Sequence, residues 1–212
     1  MNYIKKNSKV LLIGGAGFIG HNLALKLKFE GVDVEIIDSF QVNNLLSLIS
    51  NTDKVSNPNL SSFIIEKRLK ILKNSNIPIH IVDARDYHSL SKYITKINPD
   101  YVVHLAAVSH ANRSNKDPYT TFDNSLRTLE NALDASRNRI KKFIYLSSSM
   151  VYGNFKTKEV DEETNCNPIG IYGALKFSGE KIVIAYNQVF DLPYTIIRPS
   201  ALYGERCISR RV

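Results

Sequence analysis

Tyr172 and Lys176 stand four residues apart in a stretch whose apolar spacing predicts a helix. At that interval two side chains share a helical face. An ammonium beside a phenol favours the phenolate, so the pair predicts a tyrosine whose proton affinity is drawn from roughly 10 towards neutrality. Such a group can act as an acid or base near pH 7. Tyrosine and lysine are also ordinary helix-surface residues. The pair therefore gains meaning only if the chain supplies a cofactor, a hydroxyl partner and a pocket.

A cofactor is suggested near the amino end. The apolar run Lys9–Ile13 enters Gly14-Gly-Ala-Gly17-Phe-Ile-Gly20, and helical spacing follows from His21. In a strand–turn–helix unit, Gly14 permits the tight turn, Gly17 lets a pyrophosphate approach the backbone, and Gly20 lets helix and strand pack closely. The helix amino terminus then faces the phosphates. A second strand over 32–37 ends in Asp38, placed to accept a hydrogen bond from a ribose 2′-hydroxyl and to repel a 2′-phosphate, which favours NAD over NADP. Read instead without a ligand, Asp38 is a turn residue at a strand end.

The remaining elements must carry these groups to one edge. Residues 40–78 predict one or two surface helices without chemistry, with turns at 51–54 and 56–59, before a third strand over 77–82 that closes on Asp83-Ala84-Arg85-Asp86. A helix over Tyr87–Ile97 stops at Asn98-Pro99, and a fourth strand spans 101–107. Asp117-Pro118 opens a helix to about Arg137. A fifth strand, Lys142–Leu146, ends in Ser147-Ser148-Ser149. A polar loop over 154–168 precedes the Tyr172 helix, which runs to about Phe190, and a sixth strand spans 194–198. Strands alternating with helices predict an α/β fold with a doubly wound parallel sheet, a Rossmann fold, in a single dinucleotide-binding domain over 1–212. Ligands in such sheets lie beyond the carboxyl ends of the strands, where every candidate falls.

Composition narrows the class. Of the 212 residues 43% are hydrophobic and 23% charged, with no apolar run long enough to cross a bilayer, so a soluble protein without a membrane partner is expected. The amino end lacks the apolar block of a signal peptide, and two cysteines without metal-ligand spacing fit a reducing cytoplasm and no metal. The net charge of +8 is spread over helix faces without interleaved aromatics, which argues against nucleic acid as the partner and is compatible with an anionic small molecule.

Together, Gly14-x-x-Gly17-x-x-Gly20, Asp38, Asp83-Ala-Arg-Asp86, His104-Leu-Ala-Ala107, the Ser148 to Gly153 stretch, Tyr172-x-x-x-Lys176 and Arg198-Pro-Ser-Ala-Leu-Tyr-Gly204 resemble the extended short-chain dehydrogenase/reductases, in their NAD-dependent nucleotide-sugar epimerase/dehydratase group. The resemblance implies catalytic roles for Tyr172, Ser148 and Lys176. Tyr172 exchanges the proton, Ser148 hydrogen-bonds the sugar hydroxyl, and Lys176 binds the nicotinamide ribose. It implies NAD contacts at Gly14, Gly17, Phe18, Ile19, Gly20, Asp38, Asp83, Ala84, Leu105, Ala106, Ala107, Asn124, Tyr172 and Lys176. Ser147 and Ser149 are left with local turn hydrogen bonds.

Where related dehydratases carry an acidic pair, this chain has Ser149 and Met150, so the resemblance implies an epimerase passing through a keto sugar. A reductase, a 4,6-dehydratase or a non-catalytic NAD-binding module are the alternatives. Arg127 replaces a usual helix glycine and Ala201 an asparagine that often contacts substrate. The family continues into a small carboxyl-terminal substrate lobe, whereas this sequence ends at Val212, soon after the sixth strand. Arg206, Arg210 and Arg211 read either as phosphate ligands or as a frayed basic tail. Related proteins pair through the Asn124 and Tyr172 helices, which implies a homodimer.

Overall fold

The computed structural model describes residues 4–42, 44–50, 57–108 and 111–208. Six strands, β1 (Lys9–Ile13), β2 (Asp33–Asp38), β3 (Ile79–Ile81), β4 (Tyr101–His104), β5 (Lys142–Leu146) and β6 (Tyr194–Ile197), form one sheet in which every pairing is parallel. They lie in the order β3-β2-β1-β4-β5-β6. The strand order reverses between β1 and β4, which opens a crevice at their carboxyl ends, as in a Rossmann fold.

The central strand β1 is apolar at every position after Lys9 because both of its faces are covered. Leu11 and Ile13 of β1 pack with Leu90 and Ile94 of α4 (Tyr87–Ile97), Leu129 and Leu133 of α7 (Thr128–Ser136) and Val183 of α8 (Gly170–Phe190). Val10 and Leu12, on the opposite face, pack with Ala24 of α1 (Phe18–Phe29) and Leu72 of α3 (Pro58–Asn74). Helix limits follow local chemistry. Asp86 caps α4 by accepting from the Ser89 amide, and Asn98 ends it in the left-handed region at φ 49° before Pro99. Asn57 likewise accepts from the Leu60 amide, with Pro58 at the first helical position of α3.

Several expectations need correction. The third strand is shorter than 77–82, since it lies at the sheet edge and Pro78 has no N–H to give the ladder. β4 stops at His104 because residues 105–107 turn past the end of β1. The long connection forms α2 (Leu45–Ser50) and α3, and α3 is no mere surface helix: Ile65, Arg68 and Leu72 are buried. The turn expected over 51–54 lies outside the described residues. A short helix, α5 (Ala111–Lys116), was not anticipated.

The helix expected from Pro118 to Arg137 forms as α6 (Pro118–Phe122), a wider π turn (Asp123–Arg127) and then α7. The π turn holds one extra residue, and Thr128 Oγ1 donates to the carbonyls of Asn124 at 2.9 Å and Ser125 at 3.4 Å. Such insertions concentrate at functional sites.

α8 approaches the sheet closely through Gly179. A Cβ there would lie 2.3 Å from the Tyr145 hydroxyl and 3.0 Å from Leu129 Cδ2, both on buried side chains. Gly179→Ala is expected to destabilise the chain by about 1–3 kcal/mol through overpacking. Urea denaturation reads this directly, and an unchanged midpoint would show that α8 has room to move.

Candidate active site

Gly14 follows β1 with φ 79°, and its amide donates to the Ile37 carbonyl at 2.8 Å. A Cβ at Gly14 would come within 2.6 Å of the Ala106 amide nitrogen, and one at Gly20 within 2.4 Å of the Gly15 carbonyl oxygen. Both positions are closed to any larger residue. Gly17 differs, since a Cβ there would meet only the Gly14 carbonyl, at 3.4 Å. Its α-carbon faces open space at the amino end of α1, where no side chain caps the helix. This combination leaves first-turn amides free to receive an anion and fits a dinucleotide's pyrophosphate. Phe18 and Ile19 form the half-buried start of α1.

Asp38 serves the turn from the neighbouring strand. Its Oδ2 accepts from the Ala16 amide at 3.0 Å and its Oδ1 from the Phe40 amide at 2.8 Å. Burial pushes its pKa up, and the two amides oppose that shift. Asp38 is thus a strand-end turn former, and its carboxylate retains lone pairs for a further donor.

Asp83 sits beyond β3 with Ala84 buried behind it. Burial would raise the Asp83 pKa, but hydrogen bonds from the Arg85 guanidinium and backbone amide hold it below the usual carboxylate range. Asn131 donates to the carbonyls of Ala84 and Arg85 and fixes this turn. Leu105 and Ala106 form the wall opposite Gly14, and half-buried Ala107 follows them. Asn124 lies buried within the π turn, with its amide nitrogen donating to the Thr120 carbonyl at 2.8 Å.

Across the crevice, α8 presents Tyr172, half-buried, and Lys176, which is only 6% exposed. Lys176 Nζ donates to the Leu146 carbonyl at 2.7 Å and lies 5.1 Å from the centre of the Tyr145 ring. Burial lowers its pKa to about 8, against the opposing charge of Glu180. The first turn of α8 lies on the serine turn after β5, since a Cβ at Gly173 would come within 2.8 Å of the Met150 carbonyl.

One of the three serines departs from expectation. Ser148 begins the 3₁₀ turn Ser149–Tyr152, and its Oγ accepts from the Met150 amide at 3.2 Å, which leaves its proton to donate elsewhere. Ser147 makes no local turn bond. Its hydroxyl donates to Glu180, 33 residues away.

Glu180 was not singled out from the sequence. It is 1% exposed and receives a two-pronged contact from Arg198, Nε to Oε1 at 2.9 Å and Nη2 to Oε2 at 2.8 Å. Arg198 Nη1 also donates to the Tyr152 hydroxyl at 2.9 Å. Its position one helical turn beyond Lys176 was the available signal. His104, at the end of β4, is equally buried, and neither ring nitrogen has a hydrogen-bond partner among the described residues. Burial and the Lys176 charge pull its pKa down to about 3.

Comparison with known proteins decides the family. Residues 10–211 match the NAD dependent epimerase/dehydratase family. The chain belongs to that family. NAD is the cofactor of these epimerases and dehydratases, and the open turn at Gly17 fits it. Among family relatives, a dTDP-D-glucose 4,6-dehydratase of Dictyostelium discoideum is 30% identical over 212 residues, covering 93% of this chain and 44% of its own length. The UDP-glucose 4-epimerase of Thermotoga maritima, solved with UDP-glucose, superposes with a TM-score of 0.78 at 26% identity, covering 93% of this chain and 57% of that one. The UDP-glucuronic acid 4-epimerase of Bacillus cereus, solved with UDP-glucuronic acid and NAD, gives a TM-score of 0.74 at 30% identity, covering 90% and 55%.

The chain spans about half the length of the curated family members it matches. Among the described residues no helix is long and apolar enough to cross a membrane, and no group of three His, Cys, Asp or Glu could hold a metal ion.

Lys176 gives this site a measurable pH signature. The folded protein releases its proton near pH 8 and the unfolded chain near 10.5. Between those values the unfolded chain holds the extra proton, so stability rises with pH, by up to about 3 kcal/mol. Denaturation midpoints across this window should rise for the parent chain and stay flatter for Lys176→Met. Parallel curves would contradict the buried, depressed lysine.

Proposed function

We propose that this chain is the dinucleotide-binding unit of an NAD-dependent epimerase that acts on a nucleotide-diphosphate sugar through a transient keto sugar. One observation supports the reading: the first turn of α8, which carries Tyr172, packs through Gly173 on the serine turn at Met150, and Lys176 Nζ donates to the Leu146 carbonyl, beyond the same strand ends as the open Gly17 turn and Asp38. Gly14, Gly17 and Gly20 shape the pyrophosphate cradle, Phe18 and Ile19 offer first-turn amides, and Asp38 and Asp83 receive the adenosine half. Leu105, Ala106 and Ala107 line the crevice towards Asn124.

The chemistry that NAD supplies when bound is reversible uptake of a hydride from a hydroxyl-bearing carbon. Tyr172, as phenolate, takes the hydroxyl proton while that carbon becomes a ketone, and returns it when the alcohol is re-formed on the other face. Ser148 donates its remaining proton to the same sugar oxygen and keeps it in line with the phenol. Lys176, held by the Leu146 carbonyl, brings positive charge beneath Tyr172 and has two further N–H groups for a ribose hydroxyl. Eliminating water from the keto sugar would need another acid and base at the serine turn. Ser149 and Met150 supply neither, which favours epimerisation over dehydration.

Tyr172→Phe is expected to lower turnover of a UDP-sugar by at least about 100-fold while NAD is still bound and preferred over NADP. Chromatography of the sugar nucleotides and calorimetric titration read the two quantities. A variant that turns over as fast as the parent would remove Tyr172 from the mechanism.

A homodimer pairing α6–α7 and α8 with a second copy accords with the exposed Tyr119 and Phe122 of α6 and Ile171 of α8. Sedimentation equilibrium should give twice the chain mass, shifted towards one by Phe122→Asp. A single-chain mass at micromolar concentration would contradict this assembly.

A further inference from the structure

Arg206, beyond β6, does not fray. Its Nε donates to His21 Nε2 at 2.9 Å and its Nη2 to Asn22 Oδ1 at 2.9 Å, while Asn22 Nδ2 reaches back to the Glu205 carbonyl. The backbone of the same residue is also held. Its carbonyl accepts from both Nε and Nη2 of Arg68, a side chain 2% exposed with no carboxylate partner among the described residues. A buried cation spent on a backbone carbonyl is costly unless that carbonyl must stay in place. Arg210 and Arg211 lie outside the described residues.

The other end of this arrangement is the dinucleotide turn. A guanidinium can only donate, so His21 Nε2 must be the accepting nitrogen and the proton must sit on Nδ1. Nδ1 lies 2.9 Å from the Gly17 carbonyl and therefore donates to it. The His21 amide donates to the same oxygen at 3.1 Å. Two donors thus fix the peptide that follows the Gly17 α-carbon, the point at which the turn opens. His21 is fully buried, and burial, with Arg68 and Arg206 nearby, lowers its pKa to about 4, so the ring is neutral through the physiological range.

We propose that Arg206 is a positioning residue for the dinucleotide turn: it holds the His21 ring that pins the Gly17 carbonyl, in the one tautomer that serves both partners, and so ties cofactor affinity to the segment that leaves the sheet after β6. The proposal rests on the reading of this turn as the NAD site. Residues far along the chain thus act on cofactor binding without touching the cofactor.

The test uses the whole chain, isotopically labelled, with two readouts. Histidine long-range nitrogen–proton spectra without NAD report the His21 tautomer, and calorimetry reports NAD affinity. The parent should show His21 in the Nδ1–H form alone. Arg206→Met should loosen the His21 ring, shift the Gly17 and Phe18 amide resonances, and raise the NAD dissociation constant about three- to tenfold, as for a weakened charged hydrogen bond. Arg206→Lys, which keeps a donor, should recover most of both effects.

A mixed tautomer in the parent, or Arg206→Met with its Gly17 and Phe18 resonances and its NAD affinity unchanged, would overturn the proposal. Should Arg206→Met unfold, Asn22→Ala loosens the same guanidinium and is read by the same criteria. Failure of the parent to bind NAD would overturn the functional reading and the cofactor half of this one, whereas the tautomer in the NAD-free chain decides the relay by itself.

Discussion

The structure depends on how close backbone comes to backbone at the end of β1. Gly14 lies against Ala106, and Gly20 against Gly15, at separations that exclude even a methyl group. That contact brings the loop after β4 up to the loop after β1 and seats α1 directly on the sheet. It also turns the amino end of α1 towards the crevice. Because the central strand β1 is buried on both faces beyond Lys9, it has no room for polar chemistry, and the polar groups of the crevice come from the loops beyond the carboxyl ends of the strands. The tight glycine turn decides where along those ends a ligand can enter.

A second constraint lies under α8. Glu180 and Arg198 form a two-pronged ion pair in which the carboxylate is almost wholly withdrawn from water, and Ser147 and Tyr152 complete its hydrogen bonds. Buried pairs of this kind are a weak source of net stability, and losing one partner is costly because the other stays charged and dry. What the pair does here is geometric. It ties the end of β6 to α8 and to the serine turn after β5, so the segments bearing Ser148, Lys176 and the exit of the chain share one anchor.

Much of this was legible in the sequence, for physical reasons. The strand–glycine–helix pattern, the alternation of strands and helices, and the helix limits at Asp86, Asn98 and Pro118 all rest on local chemistry, and they stand in the structure within a residue or two. Long-range pairings had no local signal. Nothing near Ser147 indicates a bond to a carboxylate 33 residues on. The apolar spacing of α3 does not announce a buried arginine holding a carbonyl 138 residues away. The π turn was also invisible, because its residues are ordinary helix formers and only the packing on both sides demands the extra one.

That π turn uncouples chain length from helical phase. An unbroken α-helix carrying one more residue would rotate everything beyond it by about 100°, and Leu129 and Leu133 would leave the core. The wide turn absorbs the surplus residue, and Thr128 occupies carbonyls that the widened turn leaves under-bonded. The helix therefore has two independent registers, one set by the hydrophobic core and one by the crevice. Shortening the chain by a residue between 123 and 127 would let a regular helix form with the core face of α7 intact while re-aiming the residues before it, Asn124 among them. Length variation at this point would be nearly silent for the core and would be felt only on the amino-terminal side of the turn.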